Sequence, residues 1–158
     1  MTATQPTAVT NSNLYNEDFY LWIETTAKLL KNGNFAEIDL TNLIEEIESM
    51  GRSEKRALKS NLLVLLMHLL KYKYQLYQPD KCSNSWLSTI FEHRRRLKEE
   101  LTESPSLKKY FCDVFKESYQ DARKQASLET GLSLDTFPVD SPFTTEESLN
   151  QDYLPEQS

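Results

Sequence analysis

Any fold open to this chain has to shelter the stretch Leu62-Leu63-Val64-Leu65-Leu66-Met67-His68-Leu69-Leu70. It is apolar on every side apart from one histidine, so a helix containing it needs neighbours around most of its circumference. The rest of the chain can supply them. Its 158 residues include only 3 Gly and 6 Pro, with 39% apolar and 27% charged residues, which describes one helix-rich domain rather than a sheet or a disordered chain. The apolar run is shorter than the roughly 18–20 residues of a membrane span. No basic segment followed by an apolar one opens the chain, so a cytoplasmic protein is expected. Cys82 and Cys112 lack metal-site spacing and read as free thiols.

The pattern predicts an all-α bundle built on one long central helix. Residues 1–13 have no periodicity and read as a disordered arm, 14–155 as a single helical domain, and 156–158 as a disordered end. Asn16 is a good N-cap, with Glu17 and Asp18 in the first turn, and Phe19, Ile23, Thr26 and Leu30 form an apolar stripe; the first helix is predicted over 17–32, ending at Gly33. The long helix starts after Asp39. Its stripe of Leu40, Leu43, Ile47, Met50, Leu58, Leu62, Leu65 and Leu69 keeps helical phase through Gly51, which favours one continuous helix to about Tyr77 over two hinged at Gly51.

A third helix is predicted from the caps Ser83-Asn84-Ser85 to about Glu103, with Leu87, Ile90, Leu97 and Leu101 inward. Ser104-Pro105 opens a fourth, carrying Phe111, Val114, Phe115, Ala122 and Ala126, which Gly131 ends. Ser118, Ala122 and Ala126 recur every fourth residue and allow close approach to a neighbour. Beyond it, Phe137, Phe143, Leu149, Tyr153 and Leu154 are spaced anchors of a C-terminal tail expected to lie across the bundle, with Thr144-Thr-Glu-Glu147 as the capping box of one short helix.

The shorter third and fourth helices cover only the C-terminal half of the long one. The first helix and the face Leu40, Leu43, Ile47 and Met50 need further cover, since two helices rarely bury a whole apolar stripe. A homodimer about a two-fold axis through that face supplies it, and the C-terminal tail is the alternative.

Three polar residues interrupt the apolar faces. Glu54 falls between Ile47 and Leu58, Arg94 between Ile90 and Leu97, and His68 lies at the edge of the core run. Each charge either lies where the covering layer ends, or is paired to fix register, or belongs to a polar internal pocket, because an unpaired buried charge is costly. His68 lacks a ligand at helical spacing, and the residues three before His68 and His93 are Leu65 and Ile90, so the Glu-x-x-His pattern of di-metal bundles is missing. The glycines stand singly, leaving no phosphate-cradling loop, and no hydrolase or zinc-protease signature occurs. No cofactor or metal is expected, and the balance falls against an enzyme. Glu45, Glu46 and Glu48 read as a solvated face. Lys71-Tyr72-Lys73-Tyr74 with Tyr77, and Arg94-Arg95-Arg96 with Lys98, interleave cations and aromatics as a single-strand binder does. A net charge of −6 opposes that reading.

Leu43-Ile-Glu-Glu-Ile-Glu-Ser-Met-Gly51-Arg-Ser-Glu-Lys-Arg56, the apolar run into Tyr72, Ser85-Trp86 and Glu92-x-Arg94-Arg95-Arg96 together resemble family twenty-nine of the domains of unknown function. Tyr119-x-x-Ala122-Arg123, Glu129-Thr-Gly131, Phe137-Pro138 and Leu154-Pro155 extend the resemblance, from about Leu14 to Pro155. It implies a small helical bacterial protein, common in cyanobacteria, without an assigned activity. One departure is that Tyr74-Gln-Leu-Tyr77 lengthens the approach to Pro79, leaving the end of the long helix less defined. The expected role is a non-enzymatic helical interaction or structural module, acting as a homodimer or with another protein. The alternative is a ligand-binding or enzymatic bundle around Glu54, His68 and Arg94. Third comes a weak single-stranded nucleic-acid binder through Lys71–Tyr77 and Arg94–Lys98.

Overall fold

A computed structural model describes residues 11–75 and 81–157. Among them are six α-helices and no strand: α1 Asn11–Glu17, α2 Phe19–Lys31, α3 Leu40–Tyr74, α4 Lys81–Glu103, α5 Leu107–Thr130 and α6 Thr145–Leu149. The all-α bundle built on one long helix is as predicted, and the chain divides into two compact units, 1–52 and 53–158.

The first unit departs from the sequence reading in detail. Helix already covers Asn11 to Asn13, placed in the arm from sequence. Asp18, not Asn16, is the N-cap of α2, its carboxylate accepting from the Leu21 N–H at 3.0 Å. The chain turns at Gly33, φ +72°, where a left-handed conformation suits glycine. Packing inside this unit is aromatic. Tyr15 meets Phe19 and Trp22 edge-on at 5.7 and 5.0 Å, and Phe19 stacks on Trp22 at 5.7 Å. Of the predicted stripe on α2, only Thr26 is buried, with Trp22 beside it; Phe19, Ile23 and Leu30 are exposed, because the described chain lays no layer over them.

Helix α3 is continuous through Gly51, so the hinged alternative does not hold. Its end at Tyr74 comes earlier than predicted, and Tyr77 and Pro79 lie outside the described residues. Gly51 is exposed, and a Cβ built on it meets nothing within 4 Å. Glycine in an exposed helix interior costs about 0.5–1 kcal/mol relative to alanine. Gly51→Ala is therefore expected to stabilise this turn by that amount, read as slower amide exchange over residues 47–55.

In the second unit, α3 from Leu58 onward packs with α4 and α5. Leu58, Leu62, Leu65, Leu66, Leu69 and Leu70 are fully buried, facing Ile90, Leu97 and Leu101 of α4 and Phe111, Phe115 and Tyr119 of α5. The row Ser118, Ala122 and Ala126 is also fully buried, as close approach along α5 requires. Helix α4 starts before its expected caps. Helix α5 starts two residues after Pro105, with the Leu107 N–H on the Ser104 carbonyl at 2.9 Å. Gly131 caps it at φ +72° as predicted.

Residues 132–157 form a strap over α4 and α5. Thr144 and Glu147 make the reciprocal capping box that opens α6. Phe137 and Phe143 enter the core, Phe137 standing edge-on to Tyr74 at 5.8 Å.

Candidate functional site

Glu54, His68 and Arg94 are not gathered around one cavity. Glu54 is exposed, contrary to its place on the apolar stripe, because the buried part of α3 begins one turn later at Leu58.

Arg94, by contrast, is 1% exposed. Its Nε donates to the Ser148 carbonyl at 2.8 Å, Nη1 to the Tyr153 carbonyl at 2.8 Å and Nη2 to the Glu147 carbonyl at 3.2 Å. Two of these acceptors lie in the last turn of α6, that of Glu147 also taking the Asn150 N–H at 3.2 Å, and the negative end of the helix dipole there favours a cation. Burial pushes the guanidinium down from its ordinary value, but arginine stays charged in proteins. Three planar donors thus read the path of the strap's backbone, a task for which a lysine lacks the fork. Tyr119 and Arg123, which entered the sequence reading only as part of the family resemblance, do the same from α5: the phenol donates to the Pro138 carbonyl at 2.6 Å and the Arg123 Nε to the Phe137 carbonyl at 2.7 Å. Desolvation raises Tyr119 to about 12, so it stays a donor at any ordinary pH.

His68 is half-buried and its Nδ1–H donates to the Val64 carbonyl at 2.8 Å, one turn back. Between α3 and α4 runs a polar chain that fixes its own protons. Glu100 as a carboxylate accepts from Asn61 Nδ2 at 2.7 Å, which turns the Asn61 oxygen toward His93 at 2.9 Å and requires the proton on His93 Nδ1. This joins two helices and pins register. Neither of two open clefts in this unit, one with Arg95, Glu99 and Gln151 in its wall and one with Tyr119, Val139 and Asp140, includes Glu54, His68 or Arg94. Among the described residues no group of three or more His, Cys, Asp or Glu side chains is placed to hold a metal ion. Cys112 is an exposed free thiol, and the Cys82 side chain is outside the described residues.

Burial lowers the pKa of both histidines, with Lys71 acting the same way on His68, and Arg96 and His68 on His93; the Val64 carbonyl and Glu129 at His68, and Glu92 at His93, oppose it. A histidine with a lowered folded pKa binds fewer protons folded than unfolded. Its share of stability is whole above the unfolded value near 6.5 and is lost as pH falls below it. Thermal midpoints are expected to hold between pH 8 and 7 and to drop from about 6.5 toward 5. Glu100, raised first by burial, works in the opposite direction. The histidine part is therefore read as the difference from a His68→Gln/His93→Gln double variant, whose profile flattens over that window.

The cations proposed for nucleic acid are largely engaged. Lys71 pairs with Glu129 at 2.9 Å and lies 5.4 Å from the centre of the Trp86 ring, and Lys73 donates to the Glu156 carbonyl. Arg95 pairs with Glu92 and Glu99, Arg96 with Glu92, and these two arginines hold the Glu92 carboxyl down at about 2. Tyr77 is outside the described residues.

The open apolar surface lies in the first unit. A groove of about 290 Å³ runs between α2 and the start of α3, walled by Phe19, Ile23 and Leu30 on one side and Leu43, Ile47 and Met50 on the other. Ile47 is 58% and Met50 64% exposed, and Leu40 at 61% continues the α3 face, while Leu43 is half-buried. At the floor, the Trp22 indole N–H and the Thr26 hydroxyl are buried without a hydrogen-bond partner among the described residues. Glu46, in the wall, accepts from the Tyr15 hydroxyl at 2.6 Å, which lifts the phenol's pKa.

No helix of the described residues is long and apolar enough to cross a membrane. A family model described as domain of unknown function DUF29 matches residues 14–154. No curated protein matches, and neither does any solved structure.

Proposed function

The chain belongs to the family of domains of unknown function DUF29, and from that premise we propose that it is a non-enzymatic helical interaction module whose docking face is the groove between α2 and the start of α3. The observation that carries this reading is the exposure of Ile47 and Met50 in the wall of an apolar groove. Contiguous exposed apolar surface of this kind marks an interaction site more often than it marks idle surface. The rigidly pinned second unit is, in this reading, the scaffold.

A homodimer is the self-associating form of the same reading. In it the faces Leu40, Leu43, Ile47 and Met50 of two copies meet about a two-fold axis and complete a four-helix arrangement. Sedimentation equilibrium of the wild type and of Ile47→Glu tests it. A dimer is expected to become a monomer on substitution with unchanged helicity, since Ile47 is exposed in the single chain. A wild type that is monomeric at every concentration removes the homodimer and leaves the docking of a different protein.

A further inference from the structure

The seam between α3 and α4 carries a ladder of polar side chains. Glu54, Asn61 and His68 follow one another at seven-residue spacing on α3, and His93 and Glu100 do so on α4, so each set keeps to one side of its helix. Asn61 joins the two sets, its Nδ2 on one Glu100 oxygen at 2.7 Å and its own oxygen on His93 Nδ1 at 2.9 Å. The other Glu100 oxygen is enclosed without a hydrogen-bond partner among the described residues. An oxygen so placed is a costly seat for carboxylate charge, and a hydroxyl there would have no acceptor.

A proton can join this chain at two places, with different results. On His93 Nε2 it leaves both bonds as they stand. On Glu100 it belongs on the oxygen that faces Asn61, and the acid then becomes a donor where it was an acceptor. Asn61 answers by turning its amide over, oxygen toward Glu100 and Nδ2–H toward His93, whose Nδ1 must then be bare. The charged groups that act on the two seats stand on the same two helices. Burial raises Glu100, with Glu54 and Glu103 adding to it and the Asn61 bond and Arg96 opposing; burial lowers His93, with Arg96 and His68 adding to it and Glu92 opposing. The ordinary gap between a carboxyl and an imidazole is thus narrowed from both sides, and a proton at the acid end relieves a repulsion where one at the histidine end creates it.

We infer that Glu100, Asn61 and His93 form a proton-reading latch, in which acidification protonates Glu100, turns the Asn61 amide over and moves the His93 ring proton from Nδ1 to Nε2. One proton comes from water to Glu100. The Nδ1 proton of His93 leaves to water and another arrives at Nε2, so the chain gains one proton and the ring stays neutral. Both hydrogen bonds between α3 and α4 are kept in either state. What changes is the surface: His93, half-buried, presents a donor at Nε2 where it presented an acceptor. This latch is independent of the groove in the first unit.

The test uses the full chain labelled with carbon-13 and nitrogen-15, and long-range proton–nitrogen correlation spectra of the histidine rings from about pH 8 to about pH 4.5. The His93 signals are those missing from His93→Gln. At the upper end His93 is expected to be protonated at Nδ1 and bare at Nε2. As pH falls, the two ring nitrogens should exchange these shift positions before both become protonated, and the Glu100 carboxyl carbon should titrate with the same midpoint as the exchange. Glu100→Gln keeps the shape of the side chain and cannot titrate, so in it the ring should pass from its neutral form to imidazolium with no exchange. A wild-type His93 that goes from Nδ1–H straight to imidazolium has taken the proton itself, and the inference falls. An exchange that survives Glu100→Gln, or whose midpoint differs from that of the Glu100 carboxyl, is driven by another group and overturns it equally. A ring that is Nε2–H at every pH means that the chain never runs in the direction required, with the same consequence.

Discussion

Arg94→Met should lower the stability of the second unit by about 2–4 kcal/mol, the order set by leaving two carbonyls without a donor. The figure combines three effects. Methionine fills the volume of the arginine stem, so little packing is lost. The carbonyls of Ser148 and Tyr153 lose their donors while that of Glu147 keeps the Asn150 N–H at 3.2 Å, and each buried acceptor left unsatisfied costs about 1–3 kcal/mol. Against this, the variant no longer desolvates a cation, which returns part of the loss. Differential scanning calorimetry should show a fall in Tm of roughly 10–20 °C. Arg94→Lys keeps the charge without the planar fork and is expected to recover only part of it. If Arg94→Met is as stable as wild type, the guanidinium is not what holds the strap.

Phe137→Ala is expected to cost about 3–5 kcal/mol, the usual range for a buried aromatic. The ring is fully buried among α3 and α5 side chains and meets Tyr74 edge-on, and its own carbonyl is the acceptor for Arg123. Removing it loosens the strap at the end opposite to Arg94. Because the two positions hold one segment, their effects should not add. Chemical denaturation of Arg94→Met/Phe137→Ala should show a combined loss at least 0.5 kcal/mol smaller than the sum of the single losses, the mark of coupled sites. Strict additivity would mean that the strap's two ends dock independently.

Much of this architecture was legible because its causes are local. The helical phase of Leu40, Ile47, Leu58 and Leu65 carried α3 through Gly51, and Thr144 with Glu147 announced α6 by a bond that spans three residues. The fork of Arg94 was visible only as an anomaly on an apolar face. Its partners are carbonyls 53 to 59 residues away, and a carbonyl belongs to every residue, so no side-chain pattern points to it. Tyr119 and Arg123 stood in the sequence as a family motif, but their role was illegible for the same reason. Glu54 lies where the covering layer ends, one of the readings left open from sequence, because periodicity tells which side of a helix is apolar, and not where along it the covering helices stop. The same limit applies to Phe19, Ile23 and Leu30, whose stripe on α2 is real although nothing in the described chain covers it.

The clamp on the strap also has a history in the making of each molecule. Arg94 and the Ser148 carbonyl are 54 positions apart, and the strap leaves the ribosome after the helices it covers. At roughly 5–20 residues per second, translation leaves about 3–10 s between the two. During that interval α4 is completed and α5 is added, and the helices able to collapse on one another carry a cation on their seam whose acceptors have not been synthesised. Newly born molecules, rather than mature ones, are therefore the population that holdase chaperones and proteases meet in an open state, and a message ending at Gly131 would leave its product in that state for good.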